Sequence, residues 1–314
     1  MADLLGATSV KPARRRAIKG VFAVKLINMK KIVVLILAVV AIGGCKTNPI
    51  TGRSQMMLIS EQTAIEQSAQ AYASMLKPLE EKGKINTNAA QVARVETITS
   101  RLVAQAVLYR PETKSWHWSV RVIDDPKTVN AWCMAGGRMA IYTGLIDKLN
   151  ATDDEIAQVM GHEISHALLS HTTERMSRAI AMQLGIITVA ATQGSDTQGQ
   201  LVTEGAALAA IVALELPNSR TAESEADVLG IELAAKAGYD PHAAETLWAK
   251  MAKESGSGES RFDFLSTHPA PVKRMETLEA LVPKMMPYYE KPGPRPTFPV
   301  DVTDSNSKNS DSKK

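Results

Sequence analysis

The chain has 314 residues, 45% of them hydrophobic and 22% charged, which excludes a disordered or low-complexity protein and suffices for one large domain or two small ones. Two cysteines, Cys45 and Cys133, exclude a disulfide scaffold. The formal net charge is +3, but residues 1–44 hold eight Lys or Arg and one acid; the remaining 28 basic and 32 acidic side chains give net −4 and no case for nucleic acid.

The first readable segment is MKKIVVLILAVVAIGGC, Met29 to Cys45, in which two lysines precede an uncharged apolar run, Ile32 to Ile42, and small residues lead to a cysteine. That is the order of a signal peptide, and the run falls short of the roughly 20 residues a spanning helix needs. Ile42-Gly43-Gly44-Cys45 resembles a bacterial lipobox. Residues 1–44 are therefore expected to be a signal region, with Met29 fitting as the true start, and Cys45 to be lipidated. Cys133 is then a lone buried thiol.

Residues 45–59 read as a lipid-tethered linker, interrupted by Pro49 and Gly52. Ser60 opens a helix with Ile65, Ala69, Tyr72 and Leu76 on one face, and a second runs from Asn88 to about Leu108 with Val92, Val95, Ile98, Leu102 and Ala106 aligned. Trp116, Trp118, Val120 and Val122 alternate as a half-buried strand that ends at Asp124-Asp125-Pro126. NAWCMAGGRMAIYTGLI, Asn130 to Ile146, reads as two short extended pieces around Gly136-Gly137. Thr152 and Glu155 form a capping box for a helix carrying Ile156, Val159, Met160, Ile164, Ala167 and Leu168, to about His171. Ala179–Thr192 and Leu201–Leu216 are apolar and helical but under 18 residues, hence buried or dipping into a surface. A further helix, Thr221 to Ala237, stops at Gly238, and Pro241 starts the next. Residues 286–314, proline-rich and then polar, are expected to be a disordered tail. The fold class is α+β, mostly helical, with one domain at 60–285 and a small sheet beside the capped helix.

That helix carries MGHEISHALLSH, Met160 to His171. On a helix His162 and His166 lie one turn apart on one face and can bind one zinc, with Glu163 placed as general base; the bland alternative is a helix that happens to hold two histidines. A third ligand decides. His171, five residues past His166, lies roughly 140° around the helix and points away. Downstream, SRTAESEADVLG offers Glu223 with Asp227 one turn on, so that Glu223 completes a His2Glu set and Asp227 receives the free N–H of a ligand histidine. Glu225 is the rival, on the opposite side of that helix.

HEISH, AESEAD and FLSTHPAPVKRM (Phe264 to Met275), in that order and after NAWCMAGGRMAIYTGLI, resemble the HtpX-like and CAAX-prenyl-protease-like gluzincin peptidases, most of all their small bacterial periplasmic lipoprotein members of the LoiP type. The resemblance covers Ser60 to Val282, with one departure at Ala135, where members often carry proline. It implies one zinc per chain on His162, His166 and Glu223, Glu163 as base and Asp227 behind a ligand. It also implies that His268 reaches the metal, either stabilising an oxyanion or filling the open position at rest.

The expected protein is a gluzincin-type zinc endopeptidase cutting envelope proteins, misfolded or assembling, from a lipid anchor on the bacterial outer membrane facing the periplasm. Lys46 is not the aspartate that retains lipoproteins at the inner membrane. Polypeptide substrates, the membrane through the anchor, and envelope-protein assembly partners follow; nucleic acid does not. The competing reading is a zinc-stabilised lipoprotein that acts as assembly factor or holdase without proteolysis, against which Glu163 speaks, because a purely structural site needs no base. An exopeptidase would need a group that captures a chain terminus, and none is identifiable. Substrate backbone is expected to pair with an exposed edge strand formed by Gly137, Arg138, Met139, Ala140 and Ile141.

Overall fold

The computed structural model describes residues 44–192, 200, 203–205, 216–255, 264, 268 and 272–303. The signal region to Gly43 and most of Leu201–Leu216 lie outside them. In chain order come β1 (Cys45–Thr47), β2 (Ser54–Met56), α1 (Glu61–Glu80), α2 (Ala89–Tyr109), β3 (Ser119–Ile123), β4 (Ala131–Met134) and β5 (Arg138–Tyr142). They are followed by α3 (Asp153–Leu168), α4 (His171–Thr192), α5 (Leu216–Lys236), α6 (Ala243–Ser255) and α7 (Val272–Tyr289). The fold is thus α+β and mostly helical.

The three-stranded sheet separates two layers. Val120, Val122, Ala131, Cys133, Met139 and Ile141 face the main core with Val95, Ile98 and Leu102 of α2 and Ile156, Met160 and Ile164 of α3. Trp132, Met134, Ala140 and Tyr142 face Tyr72 and Leu76 of α1. The period of two in each strand sends alternate side chains to these two layers. Helix starts follow the local chemistry: Ser60 caps α1, Asn88 caps α2 and Thr152 caps α3 through a capping box.

The structure corrects four expectations. First, the sheet order is β3-β5-β4, with β3 parallel and β4 antiparallel to β5, so Arg138, Met139, Ala140 and Ile141 are paired on both sides and Gly137 sits in the turn before them. The proposed edge is the central strand. The tight turn around Gly136-Gly137, closed by Gly137 N–H to Met134 O at 3.1 Å, folds the chain back so that β4 takes the edge, and Ala135 does not disturb it.

Second, residues 45–56 are not a slack linker but a hairpin docked on α4: the Asn48 and Gln55 side-chain amides both donate to Leu169 O, at 3.0 and 2.8 Å, and Gln55 also donates to Glu174. Third, the chain from residue 286 continues α7 and then packs back as far as Thr303. Phe298 N–H donates to Ser100 O, and Asp301 exchanges backbone bonds with Val120 and Trp118. Fourth, all five residues of β3 are buried, because Ser119 and Arg121 on its second face lie between α1 and Asp301.

Among the described residues no helix is long and apolar enough to cross a membrane.

Candidate active site

The start of α3 is fixed before its chemistry begins. Glu155 accepts from Thr152 N–H at 2.9 Å, and it also receives the Thr246 hydroxyl and the Lys250 ammonium of α6 at 2.8 and 2.7 Å. Two turns on, His162 and His166 share a face, with ring centroids 4.7 Å apart and Nε2 atoms 3.1 Å apart. Glu163 is 3% exposed, and its Oε1 has no hydrogen-bond partner among the described residues; His268 Nε2 lies 3.4 Å from it.

The third donor arrives because α5 crosses α3 in backbone contact. A Cβ on Gly161 would stand 2.8 Å from Gly230 O, and one on Gly230 would stand 2.8 Å from His162 Cα. Only a glycine pair permits that approach. It brings Glu223, seven residues before Gly230, to 3.4 Å from Nε2 of both His162 and His166. Asp227 is brought 3.0 Å from His162 Nδ1, and Arg274 of α7 holds it in a two-pronged bond, both contacts at 2.6 Å. The Arg274 guanidinium lies over Trp248, 4.2 Å from the ring centroid. His268 completes the cluster, with Nδ1 2.9 Å from Glu223 Oε2 and 3.3 Å from His162 Nε2.

One ligand atom from each of His162, His166, Glu223 and His268 falls within 4.8 Å of the others, a set that could hold a metal ion. Burial alone would raise Glu223, but its contacts with His162, His166 and His268 hold it far below the usual carboxylate range. Burial opposes protonation of His162, yet Asp227 and Glu223 lift it to about 9. Burial drives His166 well down. The donor atoms of His162, His166, Glu223 and His268 converge on one point, an arrangement that a divalent cation could occupy once the imidazole nitrogens facing it are free of protons.

His171 is where the spacing argument fails. The helix does not continue to it: α3 ends at Leu168, Ser170 takes a left-handed φ of 56°, and His171 begins α4 in a new direction. Instead of pointing away, His171 Nδ1 lies 2.8 Å from His166 Nδ1, and its Nε2 lies 3.0 Å from Glu225 Oε2. Burial lowers its pKa and favours the neutral ring. Arg53 of the amino-terminal hairpin then grips Glu225 at 2.8 Å and Glu174 at 2.7 Å. Neither Arg53 nor Arg274 emerges from pattern reading, although Arg274 stands inside the FLSTHPAPVKRM stretch.

A cleft of about 480 Å³ opens on Glu163, His166, Glu223 and His268. Asn130 to Met134 line it, so the edge strand β4 borders the site, and Trp132 Nε1 is a buried donor there without a hydrogen-bond partner among the described residues. Ser68, Ala71 and Met75 of α1 form the facing wall.

A buried glutamate beside two imidazoles one turn apart, with the third donor on a separate helix, marks the gluzincin metallopeptidases, and fold and site assign the chain to that class. Comparison narrows the class: the profile of peptidase family M48 matches residues 89–282, more than half of the chain, and the chain belongs to that family. It is a metalloendopeptidase. Mitochondrial metalloendopeptidase OMA1 of Saccharomyces cerevisiae is 27% identical over 253 residues, covering 77% of this chain and 70% of that protein. Metalloprotease LoiP of Escherichia coli is 34% identical over 154 residues, 48% of this chain and 57% of LoiP, and metalloprotease YcaL of the same organism is 28% identical over 72% of this chain and 90% of YcaL. The chain spans between 31% and 70% of the length of the mitochondrial relatives.

Proposed function

We propose that this chain hydrolyses internal peptide bonds of bacterial envelope proteins with one zinc held by His162, His166 and Glu223. The observation that carries the reading is the buried Oε1 of Glu163, without a hydrogen bond among the described residues, beside that converging donor set. Zinc, when bound there, supplies Lewis acidity towards the scissile carbonyl and towards water. Glu163 Oε1 takes the proton from the attacking water and delivers it to the leaving nitrogen. Asp227, locked by Arg274, accepts the Nδ1–H of His162 and keeps that ring's Nε2 lone pair turned to the metal. His268 stands among the donors through Nδ1 and would be a further side chain able to hold the zinc.

Substrate backbone pairs with β4, whose outer side is open among the described residues and lines the cleft. Cys45, exposed at the start of the docked hairpin, carries the lipid that holds the enzyme at the outer membrane facing the periplasm. Misfolded or assembling outer-membrane proteins are the substrates within its reach.

Zinc content and casein digestion, measured together on the chain from Cys45, test the reading. Glu163→Gln is expected to keep a full equivalent of zinc and lose digestion. Full digestion by that variant, or a wild-type protein that binds zinc and never cuts, overturns the enzymatic reading and leaves an assembly factor.

A further inference from the structure

The two histidines offered to the metal are supported differently. His162 passes its Nδ1–H directly to Asp227, whereas His166 meets a second imidazole, that of His171, at 2.8 Å. Nitrogen-to-nitrogen contact works only with one hydrogen between the rings. If His166 Nε2 keeps its lone pair for a cation, its hydrogen sits on Nδ1 and is donated to His171 Nδ1. The hydrogen of His171 then sits on Nε2, 3.0 Å from Glu225 Oε2, which accepts it. Glu225 is held in turn by Arg53 Nε and Nη2 at 2.8 and 3.0 Å, and Arg53 is anchored by both oxygens of Glu174 at 2.8 and 2.7 Å.

We infer that His171, Glu225 and Arg53 form a relay that orients His166 for zinc, making the amino-terminal hairpin a working part of the metal site. This rests on the reading of His166 as a zinc ligand. Three features carry it beyond ordinary packing. Every donor in the line meets an acceptor, so the line fixes one tautomer at each ring. The supporting carboxylate stands one imidazole further from the metal than Asp227 does. Each supporting carboxylate is also held by an arginine, Arg274 for Asp227 and Arg53, shared with Glu174, for Glu225. A ligand imidazole whose outer nitrogen lacks a partner loses about 10–100-fold in metal affinity.

The test is zinc affinity by chelator competition, with the absorption spectrum of the cobalt-substituted protein as a second readout. His171→Leu is expected to weaken zinc about 10–100-fold and to alter the cobalt bands, while the zinc-free protein keeps its melting temperature within a few degrees. His171→Asn places an acceptor near the old Nδ1 position and should recover most of the affinity. Arg53→Ala should weaken zinc less than His171→Leu, and Arg53→Lys, which lacks the planar fork, should restore only part of the difference. If His171→Leu and Glu225→Gln both match wild-type affinity and cobalt spectrum while His166→Ala loses zinc, the relay is wrong and the zinc site stands. If His166→Ala itself keeps wild-type affinity, the ligand assignment fails first. Should His171→Leu fail to fold, Arg53→Ala and Glu225→Gln decide, and unchanged zinc affinity and cobalt bands in both overturn the relay.

Discussion

The arms that hold the two histidines share helix α5 but finish on arginines from opposite ends of the chain. The arm behind His162 is short: Asp227 touches the ring, Arg274 clamps Asp227, and both come from the carboxyl-terminal helices. The arm behind His166 is long, passing through His171 and Glu225 to Arg53 in the amino-terminal hairpin. A direct carboxylate contact needs one helix at one crossing, whereas the relay needs a helix break, a second helix and a docked hairpin. Legibility follows the same line.

The largest effects should treat the arms alike. His162→Ala and His166→Ala are each expected to abolish stoichiometric zinc, as is Glu223→Ala, because two remaining ligands hold a catalytic zinc poorly. Retention of zinc by Glu223→Ala but not by Glu225→Ala would exchange the roles of those carboxylates and dissolve the comparison. Next in size, Asp227→Ala should cost about 10–100-fold in zinc affinity, at least as much as Glu225→Gln, since it touches the ligand ring itself. Equilibrium competition with a chelator ranks them.

A grip on substrate by β4 separates from both arms. Proline at Cys133, whose N–H points away from β5 in the alternation of the antiparallel ladder, should lower casein turnover with zinc content unchanged, whereas Ala140→Pro, in the doubly paired strand, should unfold the domain. Soluble, zinc-loaded Ala140→Pro protein would contradict the sheet order.

Acid should loosen the long arm in a defined window. Burial raises Glu225, but its bonds to His171 and Arg53 outweigh it and bring the group from 4.5 to about 2. A carboxylate depressed on folding contributes stability above its unfolded value, and that contribution is lost as pH falls from 4.5 towards 2. Melting curves of the zinc-free protein should therefore flatten over that range in Glu225→Gln relative to wild type. The smallest expected change is Thr152→Ala, which removes the cap of the helix carrying both histidines and should cost about 1 kcal/mol in urea unfolding without favouring either arm.

Whatever depended on a single helical period could be read from sequence. The capped helix, His162 with His166, and Glu223 with Asp227 each rest on spacings of three or four residues, and the helix starts at Ser60, Asn88 and Thr152 rest on short polar caps. What depended on a change of direction could not. No glycine or proline marks the break after Leu168, so the helical period alone runs on to His171 and places its ring on the wrong side. The central place of Arg138–Ile141 arises from a turn that returns the chain between two strands, which alternation alone does not distinguish from an edge. Residues 286–303 look unstructured by composition, yet they gain their order from backbone bonds to Ser100, Trp118 and Val120, partners far away in the chain.

The contact between Gly161 and Gly230 makes metal loading and helix docking one equilibrium. The carboxylate at 223 reaches the imidazoles only when the two backbones touch, so whatever parts them also dilutes the ligand, and whatever binds the ligands presses the helices together. A methyl group at residue 230 has no room beside His162 Cα and must lever α5 outwards. Gly230→Ala should therefore act on this protein as a chelator does, lowering zinc occupancy and melting temperature in step, and excess zinc should restore both together.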